Sequence, residues 1–218
     1  MASVHPFRLT ALASSDPEAD RTRTLLIAAD ELLDEEGLEG LTIRAVLART
    51  GLARRAFYDR FQGKDDLVLQ VFAVSLKVAA DYFRELTAAC PGPSEALHVI
   101  VTNLVVGQLG LDRQGANRRG AALSREHLRL AQSRPEELQK ALKPLLDLMA
   151  DHVTDGIARG EFRKADAQTQ ARLIYNLVSN TVHTVLLAEE EGVDRADLHE
   201  RETLAETLWE FCRRGIAA

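Results

Sequence analysis

Cysteine, long apolar runs and alternating apolar patterns are all scarce in this sequence of 218 residues. The two cysteines, Cys90 and Cys212, are too few for a disulfide framework and suit a reducing compartment. The longest run without Asp, Glu, Lys or Arg covers residues 173–188, which is too short to span a bilayer. Because Pro6 and Arg8 interrupt the apolar N-terminal stretch, we expect no export signal and predict a cytoplasmic protein.

Signatures of catalysis and of metal binding are also missing. The sequence has no Cys-x-x-Cys, no His-Glu-x-x-His and no glycine-rich phosphate loop. Helical di-iron enzymes need two Glu-x-x-His motifs, and the one match here, Glu95 to His98, is better explained as an acid at a helix start. Ser124 and Ser179 lack the context of a nucleophile elbow. We therefore predict no enzyme, no cofactor and no metal site.

The sequence predicts an all-α fold with about nine helices. No segment of useful length alternates with a period of two, whereas apolar residues recur at helical spacing between glycines, prolines and capping residues. Asp16, Thr42 and Ser94 are expected to cap helices, and Ser133 to Glu136 to form a capping box. The predicted helices cover about residues 16–37, 43–50, 53–61, 64–88, 94–111, 121–132, 135–159, 166–190 and 197–214.

Charge is unevenly distributed along the chain. The net charge of −6 argues against general coating of nucleic acid, yet residues 42–64 hold six basic residues and one acid, a local charge of +5. A concentrated basic segment is typical of a surface that binds a polyanion. The same pattern is also compatible with a solvated basic face that binds nothing.

The basic segment has the layout of a helix-turn-helix, because a short helix, a break at Gly51 and a second short helix follow one another. Phe57 and Phe61 share one face of the second helix and can pack on Ile43, Val46 and Leu52. Arg54, Arg55 and Tyr58 fall on the other side. Arginine suits that position because its guanidinium pairs with guanine edges or with phosphate.

The order and spacing of residues over about 21–69 resemble the TetR family of bacterial transcriptional regulators. The remainder of the chain is similar to the family only in length and helix pattern. The matching motifs are Leu25-Leu26-x-x-Ala29, Leu32-Leu33, Glu36-Gly37, Thr42-Ile43-Arg44, Thr50-Gly51-Leu52, Phe57-Tyr58-x-x-Phe61 and Lys64-x-x-Leu67.

Residues 1–15 show no period and are expected to be a flexible arm. The resemblance implies that residues 16–63 are the helix-turn-helix domain, with a DNA-binding face, and that residues 64–218 are an effector-binding and dimerisation domain. By this resemblance, Arg44, Arg54 and Arg55 are expected to contact base edges. Thr42, Tyr58 and Lys64 are expected to contact phosphates.

Three residues depart from the family pattern. Ala53 stands where a serine often caps the third helix, and Leu47 stands where a small residue is usual. Asp59 is unusual on a helix that faces phosphates, and it could either pair with Arg55 or accept a hydrogen bond from cytosine. An interaction module that has lost DNA reading is therefore kept as the alternative function.

The last two predicted helices are expected to form a homodimer interface, since a dimer reads two half-sites. Residues 173–188 are apolar on most sides of a helix, which favours burial on two sides. The alternative is that both helices are central in a monomer. The predicted interface residues are Leu173, Leu177, Asn180, Thr184, Leu187, Leu204, Leu208, Trp209, Phe211 and Cys212.

The resemblance also implies a small-molecule effector pocket between the middle helices, with no identity for the effector. The glycine-rich residues 110–120 would suit a gate. Binding is expected to release a palindromic operator by shifting the population of conformations. The candidate pocket residues are Phe72, Leu76, Tyr82, Asn103, Leu104, Gln108, Arg119, Leu123, His127, Met149, Val153 and Asn176, with His152 as a further polar candidate.

Overall fold

The computed structural model describes residues 17–109, 117–192 and 196–218, and within those ranges it confirms an all-α fold of nine helices. The predicted arm over residues 1–15, the cap at Asp16 and most of the predicted gate lie outside the described residues. The helices are α1 (Pro17–Gly40), α2 (Ile43–Thr50), α3 (Arg54–Tyr58), α4 (Lys64–Thr87), α5 (Pro93–Leu109), α6 (Arg118–Ser133), α7 (Pro135–Ala158), α8 (Ala167–Glu190) and α9 (Leu198–Ile216).

Several helix ends form as the sequence predicts. The Thr42 hydroxyl accepts the Ala45 N–H at 3.1 Å, which caps α2, and Gly51 ends α2 at a φ of 68°. Only glycine adopts such a positive φ without strain, so the turn between α2 and α3 is fixed locally. Gly160 follows α7 with a φ of 75°, as expected for the residue that ends it.

Four predicted boundaries are corrected. The capping box at residues 133–136 is wrong, because Arg134 occupies the N-cap of α7 and its side chain accepts no backbone N–H of that helix; it donates to the Glu137 carboxylate instead. The Ser133 hydroxyl donates to the Arg129 carbonyl in the preceding helix instead. Ser94 is not a cap, because α5 already begins at Pro93. Two helices also differ in length: α3 ends at Tyr58, and α6 begins at Arg118 behind an Asn117 cap.

The predicted end of α1 at Gly37 corresponds to a kink. Gly37 has φ 71° and ψ −164°, outside the helical region, and helical hydrogen bonding resumes afterwards as far as Gly40. A side chain would strain this backbone, which explains a glycine at the position.

Two apolar cores hold the helices together. The smaller core joins α1, α2 and α3 to the beginning of α4, and Leu33, Val46 and Phe57 are fully buried in it. The larger core joins α4 to α9. Each such buried side chain stabilises the fold by roughly 1.5–3 kcal/mol. Among the described residues, no helix is long and apolar enough to cross a membrane.

Helices α4 and α6 belong to both cores. Leu67, Val68 and Val71 near the start of α4 pack in the smaller core, whereas Phe72 and Ala79 further along pack in the larger one. Helix α6 runs against α1 and contributes Ala122 to the smaller core. Any displacement of α4 or α6 within the larger core therefore acts directly on the packing of α1 to α3.

Candidate nucleic-acid interface and internal cavity

Helix α3 presents one buried face and one exposed face. Phe57 is fully buried and its ring lies 5.3 Å from that of Phe61, so both pack toward α1 and α2. Arg54 and Arg55 are exposed on the opposite side, and Tyr58 is 45% exposed. The predicted division of the helix into a core face and a basic face is therefore present.

Arg54 and Tyr58 are arranged as a pair on the exposed face. One terminal nitrogen of Arg54 lies 3.3 Å from the Tyr58 hydroxyl and donates to it, and the guanidinium carbon stands 5.4 Å from the ring centre. Contact with the ring limits the rotamers of both side chains. Arg54 is exposed, so its remaining N–H donors are accessible to phosphate or base edges.

The six basic residues of the 42–64 segment divide into two groups. Arg49 forms two hydrogen bonds to Glu35, at 3.0 and 2.6 Å, which raise the pKa of Arg49 and lower that of Glu35. Arg60 donates to the Thr22 hydroxyl and to the Ala56 carbonyl. Both guanidiniums are thus engaged by the domain itself, that of Arg49 at its surface and that of Arg60 in a half-buried position.

Lys64 also makes an internal contact. Its half-buried ammonium donates to the Leu38 carbonyl at 2.7 Å, which uses one of three donors. Arg49 is exposed but paired with Glu35, so Arg44, Arg54 and Arg55 are the exposed cations of the segment that make no strong ion pair, and Thr42 is exposed next to them.

The three residues that depart from the family pattern are all accommodated. Ala53 occupies the N-cap of α3 and makes no side-chain hydrogen bond. Leu47 is half-buried and packs against the smaller core. Asp59 lies 3.9 Å from the Arg55 Nε, and with side chains 55% and 92% exposed this pair is weak. The Asp59 carboxylate thus faces solvent beside the basic face.

A cavity of about 80 Å³ lies between α4, α5, α6 and α8. Seven of the twelve predicted pocket residues line it. The apolar ones are Phe72, Leu76, Leu104 and Leu123, and the polar ones are Gln108, Arg119 and His127.

The other five predicted pocket residues lie elsewhere. Met149 and Val153 are buried within the larger core, and Tyr82 packs against it. The Asn103 side-chain amide donates to the Val99 carbonyl of its own helix, and Asn176 is exposed on α8. His152 is half-buried on α7 outside the cavity wall.

Eight residues of the described wall are not among the predicted pocket residues, and two of them, Tyr175 and His183, lie on α8. They are eight positions apart, which places both on one helix face, but they fall inside a segment that was assigned to the dimer interface. The ring of His127 is stacked 6.0 Å from Tyr175 and lies 4.9 Å from the ring of His183. A polar cluster thus stands in an otherwise mostly apolar wall.

Burial controls the charge of this cluster. Removal from water lowers the pKa of His127, and it lowers the pKa of His183 to about 4, with the neighbouring His127 contributing. Burial also raises the pKa of Tyr175 to about 12. All three side chains are therefore uncharged near neutral pH.

Arg119 connects the cavity to the smaller core. Its Nε donates to the Asp30 carboxylate on α1 at 2.6 Å, and a terminal nitrogen donates to the Ser75 hydroxyl on α4 at 2.9 Å. Arg119 and Asp30 are 8% and 6% exposed. A buried ion pair of this kind is costly to separate, because either charge alone would lose its compensation. One side chain of the cavity wall is thus fixed to the first helix.

The predicted interface residues on α8 and α9 separate into exposed and buried sets. Leu173 and Phe211 are 57% and 68% exposed, and Asn180 and Thr184 are also exposed. Leu177, Leu187 and Leu204 are half-buried. The other three are buried in the larger core of the same chain: Leu208, Trp209 and Cys212.

These features define a helix-turn-helix domain: a capped α2, a left-handed glycine turn and a short helix with exposed arginines. Proteins that contain this domain typically bind DNA through it. A family model described as bacterial regulatory proteins, tetR family, matches residues 25–71. This segment belongs to the tetR family, and the chain is a DNA-binding transcriptional regulator. A search of curated protein sequences finds no match.

The same fold occurs in solved structures over almost the whole chain. A tetR-family regulator from Pectobacterium atrosepticum has a TM-score of 0.71 at 17% identity, and 94% of this chain and 98% of that chain are covered. A regulator from Mesorhizobium loti has a TM-score of 0.69 at 16% identity, with 94% and 100% covered. FadR from Bacillus subtilis, in complex with stearoyl-CoA, has a TM-score of 0.69 at 19% identity, with 88% and 98% covered.

Proposed function

We propose that the chain is a homodimeric repressor in the cytoplasm that binds a palindromic operator and leaves it when a small molecule fills the cavity. The observation that carries this proposal is the Arg119–Asp30 ion pair, because it joins the cavity wall to the DNA-binding domain. A ligand can change operator affinity only through contacts that differ between two conformations. A ligand that moves Arg119 would alter its contact with Asp30 and so the position of α1.

In the proposed complex, α3 enters the major groove. Arg54 and Arg55 reach base edges from its exposed face, and Arg44 does so from α2. Tyr58, Thr42 and Lys64 contact phosphates, which fix the register of the helix without reading sequence. Arg49 and Arg60 are left out of the proposed DNA contacts, because their guanidiniums are already hydrogen-bonded within the protein, to Glu35 and to the Ala56 carbonyl.

The proposed dimer forms through the outer faces of α8 and α9. Leu173 and Phe211 are large apolar side chains that a monomer leaves in water, and burying them on a second copy is favourable. The surrounding Asn180 and Thr184 can form hydrogen bonds in the same interface. Two recognition helices about 34–36 Å apart would then match half-sites one helical turn apart.

Release follows from the shared helices. A ligand that needs more room than about 80 Å³ must displace α4 or α6, and both helices contribute to the core beneath the recognition helix. The conformation that accommodates the ligand then differs from the one that fits the operator. Its differential affinity for the two conformations sets how far binding to DNA weakens.

The proposal is tested by the salt dependence of binding to a labelled DNA duplex, together with sedimentation of the free protein. A dimer that neutralises roughly 8 phosphates should lose about 10⁴-fold in affinity between 50 and 200 mM salt. A molecule that raises the melting temperature should also weaken operator binding at saturation. A flat salt profile would contradict DNA binding, and unchanged operator affinity at saturation would contradict release.

A further inference from the structure

The described wall of the cavity offers no free charge to a ligand. It contains no acidic side chain, and its one permanent cation, Arg119, is paired with Asp30. Burial keeps His127 and His183 uncharged near neutral pH by lowering the pKa of each. A charged ligand would therefore lose its hydration without gaining a counter-charge, and an uncharged ligand is favoured.

His183 is the residue of the wall whose hydrogen bonding is incomplete. Its side chain is only 5% exposed, and its Nε2 lies 3.1 Å from the Ser179 hydroxyl oxygen. Its Nδ1 is buried and has no hydrogen-bond partner among the described residues. Because buried polar atoms are nearly always paired in folded proteins, an unpaired nitrogen in a cavity wall points to a ligand that completes it.

The chemistry of that nitrogen narrows the ligand group. In a neutral imidazole one nitrogen donates and the other accepts, and the Ser179 hydroxyl can satisfy Nε2 in either role. Nδ1 of His183 then needs an acceptor in one tautomer and a donor in the other. A hydroxyl serves both, whereas a carbonyl or an ether serves only one.

We infer that the cavity binds a small, uncharged molecule with an apolar body and a hydroxyl group that hydrogen-bonds to Nδ1 of His183. Phe72, Leu76 and Leu104 supply the apolar surface for the body of the ligand. A cavity of about 150 Å³ accepts benzene, so even a body of one ring needs more room than the present volume of about 80 Å³, and its entry requires the displacement of α4 or α6 described above. This inference rests on the proposed role of the cavity as the effector site.

The direct test compares four probes of similar shape: phenol, toluene, benzoate and benzylamine. Binding to the full chain is measured by nuclear magnetic resonance with ¹⁵N-labelled histidine, in which the imidazole nitrogen signals report hydrogen bonding. Phenol should bind about tenfold more tightly than toluene, the gain of one buried hydrogen bond, and should shift the Nδ1 signal of His183. Benzoate and benzylamine should bind more weakly than phenol, because each buries an unpaired charge.

Three variants separate the role of His183 from general packing. His183→Phe keeps a ring but removes the nitrogens. It should weaken the binding of phenol about tenfold and leave the affinity for toluene unchanged. His183→Asn keeps a hydrogen-bonding group near the position of Nδ1 and should retain phenol binding within about threefold. His152→Phe is the matched control: His152 also has a buried nitrogen without a partner among the described residues, but it lies outside the cavity wall.

The inference is overturned if benzoate or benzylamine binds more tightly than phenol, if phenol and toluene bind alike, or if no probe binds at millimolar concentration. It is also overturned if His183→Phe and His152→Phe weaken phenol equally. Failure of the proposed function has a different signature. In that case phenol binds and shifts the His183 signal, yet affinity for the operator duplex does not change.

Discussion

The guanidinium of Arg119 and the carboxylate of Asp30 form a buried ion pair at 2.6 Å that ties α6 to α1. The first residue lines the cavity, and the second belongs to the helix that supports the helix-turn-helix. Ser75 on α4 completes the arrangement by accepting from the same guanidinium. Three helices that enclose the cavity or support α3 thus meet at one side chain.

Asp30→Asn should destabilise the protein by about 3–5 kcal/mol, because it leaves the buried Arg119 guanidinium without its counter-charge. Urea denaturation followed by circular dichroism measures the loss. The matched control is the double variant Asp30→Asn, Arg119→Met, which removes both charges and should be markedly more stable than Asp30→Asn alone. A loss below about 1 kcal/mol in the single variant would contradict a functioning ion pair.

Ala53→Ser should stabilise the protein by about 0.5–1 kcal/mol, because the N-cap of α3 has extended backbone and no side-chain acceptor. Thr42→Ala is the matched control, since it removes the existing cap hydrogen bond to the Ala45 N–H and should cost about 1 kcal/mol. Thermal unfolding of both variants measures these changes. If both substitutions shift stability in the same direction, the capping account of α2 and α3 fails.

Asp59→Asn should tighten binding to any DNA duplex by about three- to tenfold, because it removes an exposed negative charge beside the basic face. Stability should remain within about 0.5 kcal/mol of wild type, since the Arg55 contact is weak and exposed. Fluorescence anisotropy with two unrelated duplexes measures the effect. Weaker binding confined to a cytosine-containing site would instead assign base reading to Asp59.

Stability should decrease with falling pH through the burial of His183. Its pKa is about 4 in the folded protein, against roughly 6.5 for an unfolded histidine. The unfolded state therefore takes up the proton first, so this contribution is complete above about pH 6.5 and is lost as pH falls toward 4.

Between pH 7.5 and pH 5 the loss assigned to His183 amounts to about 2 kcal/mol in the free energy of unfolding. His183→Phe lacks the titrating group, so urea denaturation should show a decline over this interval that is smaller by that amount. Equal declines in wild type and variant would show that His183 titrates alike in both states.

Local signals in the sequence predict most of the fold. Thr42 and Gly51 fix the ends of α2 by a side-chain acceptor and a positive φ, so the predicted bounds of α2 hold. The pattern fails at residues 133–136, where Pro135 at the first turn moves the N-cap to Arg134. The sequence offers two overlapping signals for the start of α7, a cap at Ser133 and a proline at the first turn, and it does not show which of them sets the N-cap.

The cavity could be predicted only in part, because periodicity gives the face of a helix but not its neighbour. Phe72 and Leu76 were found because α4 has one apolar face. Tyr175 and His183 were missed because α8 is apolar on most sides, so nothing in the sequence distinguishes the side toward the cavity from the side toward solvent. Met149 and Val153 lie on the apolar face of α7, and the sequence does not show whether that face meets the cavity or the core. They pack in the core.

The most direct test of DNA reading by α3 is selection of bound sequences from a random duplex pool. Wild type is compared with the double variant that carries both Arg55→Ala and Tyr58→Ala. The control is Arg163→Ala, which removes an exposed arginine outside the helix-turn-helix. The account predicts that wild type and the control enrich the same palindrome and that the double variant enriches none. No enrichment by a folded wild-type dimer at low salt, or equal enrichment by the double variant, would contradict it.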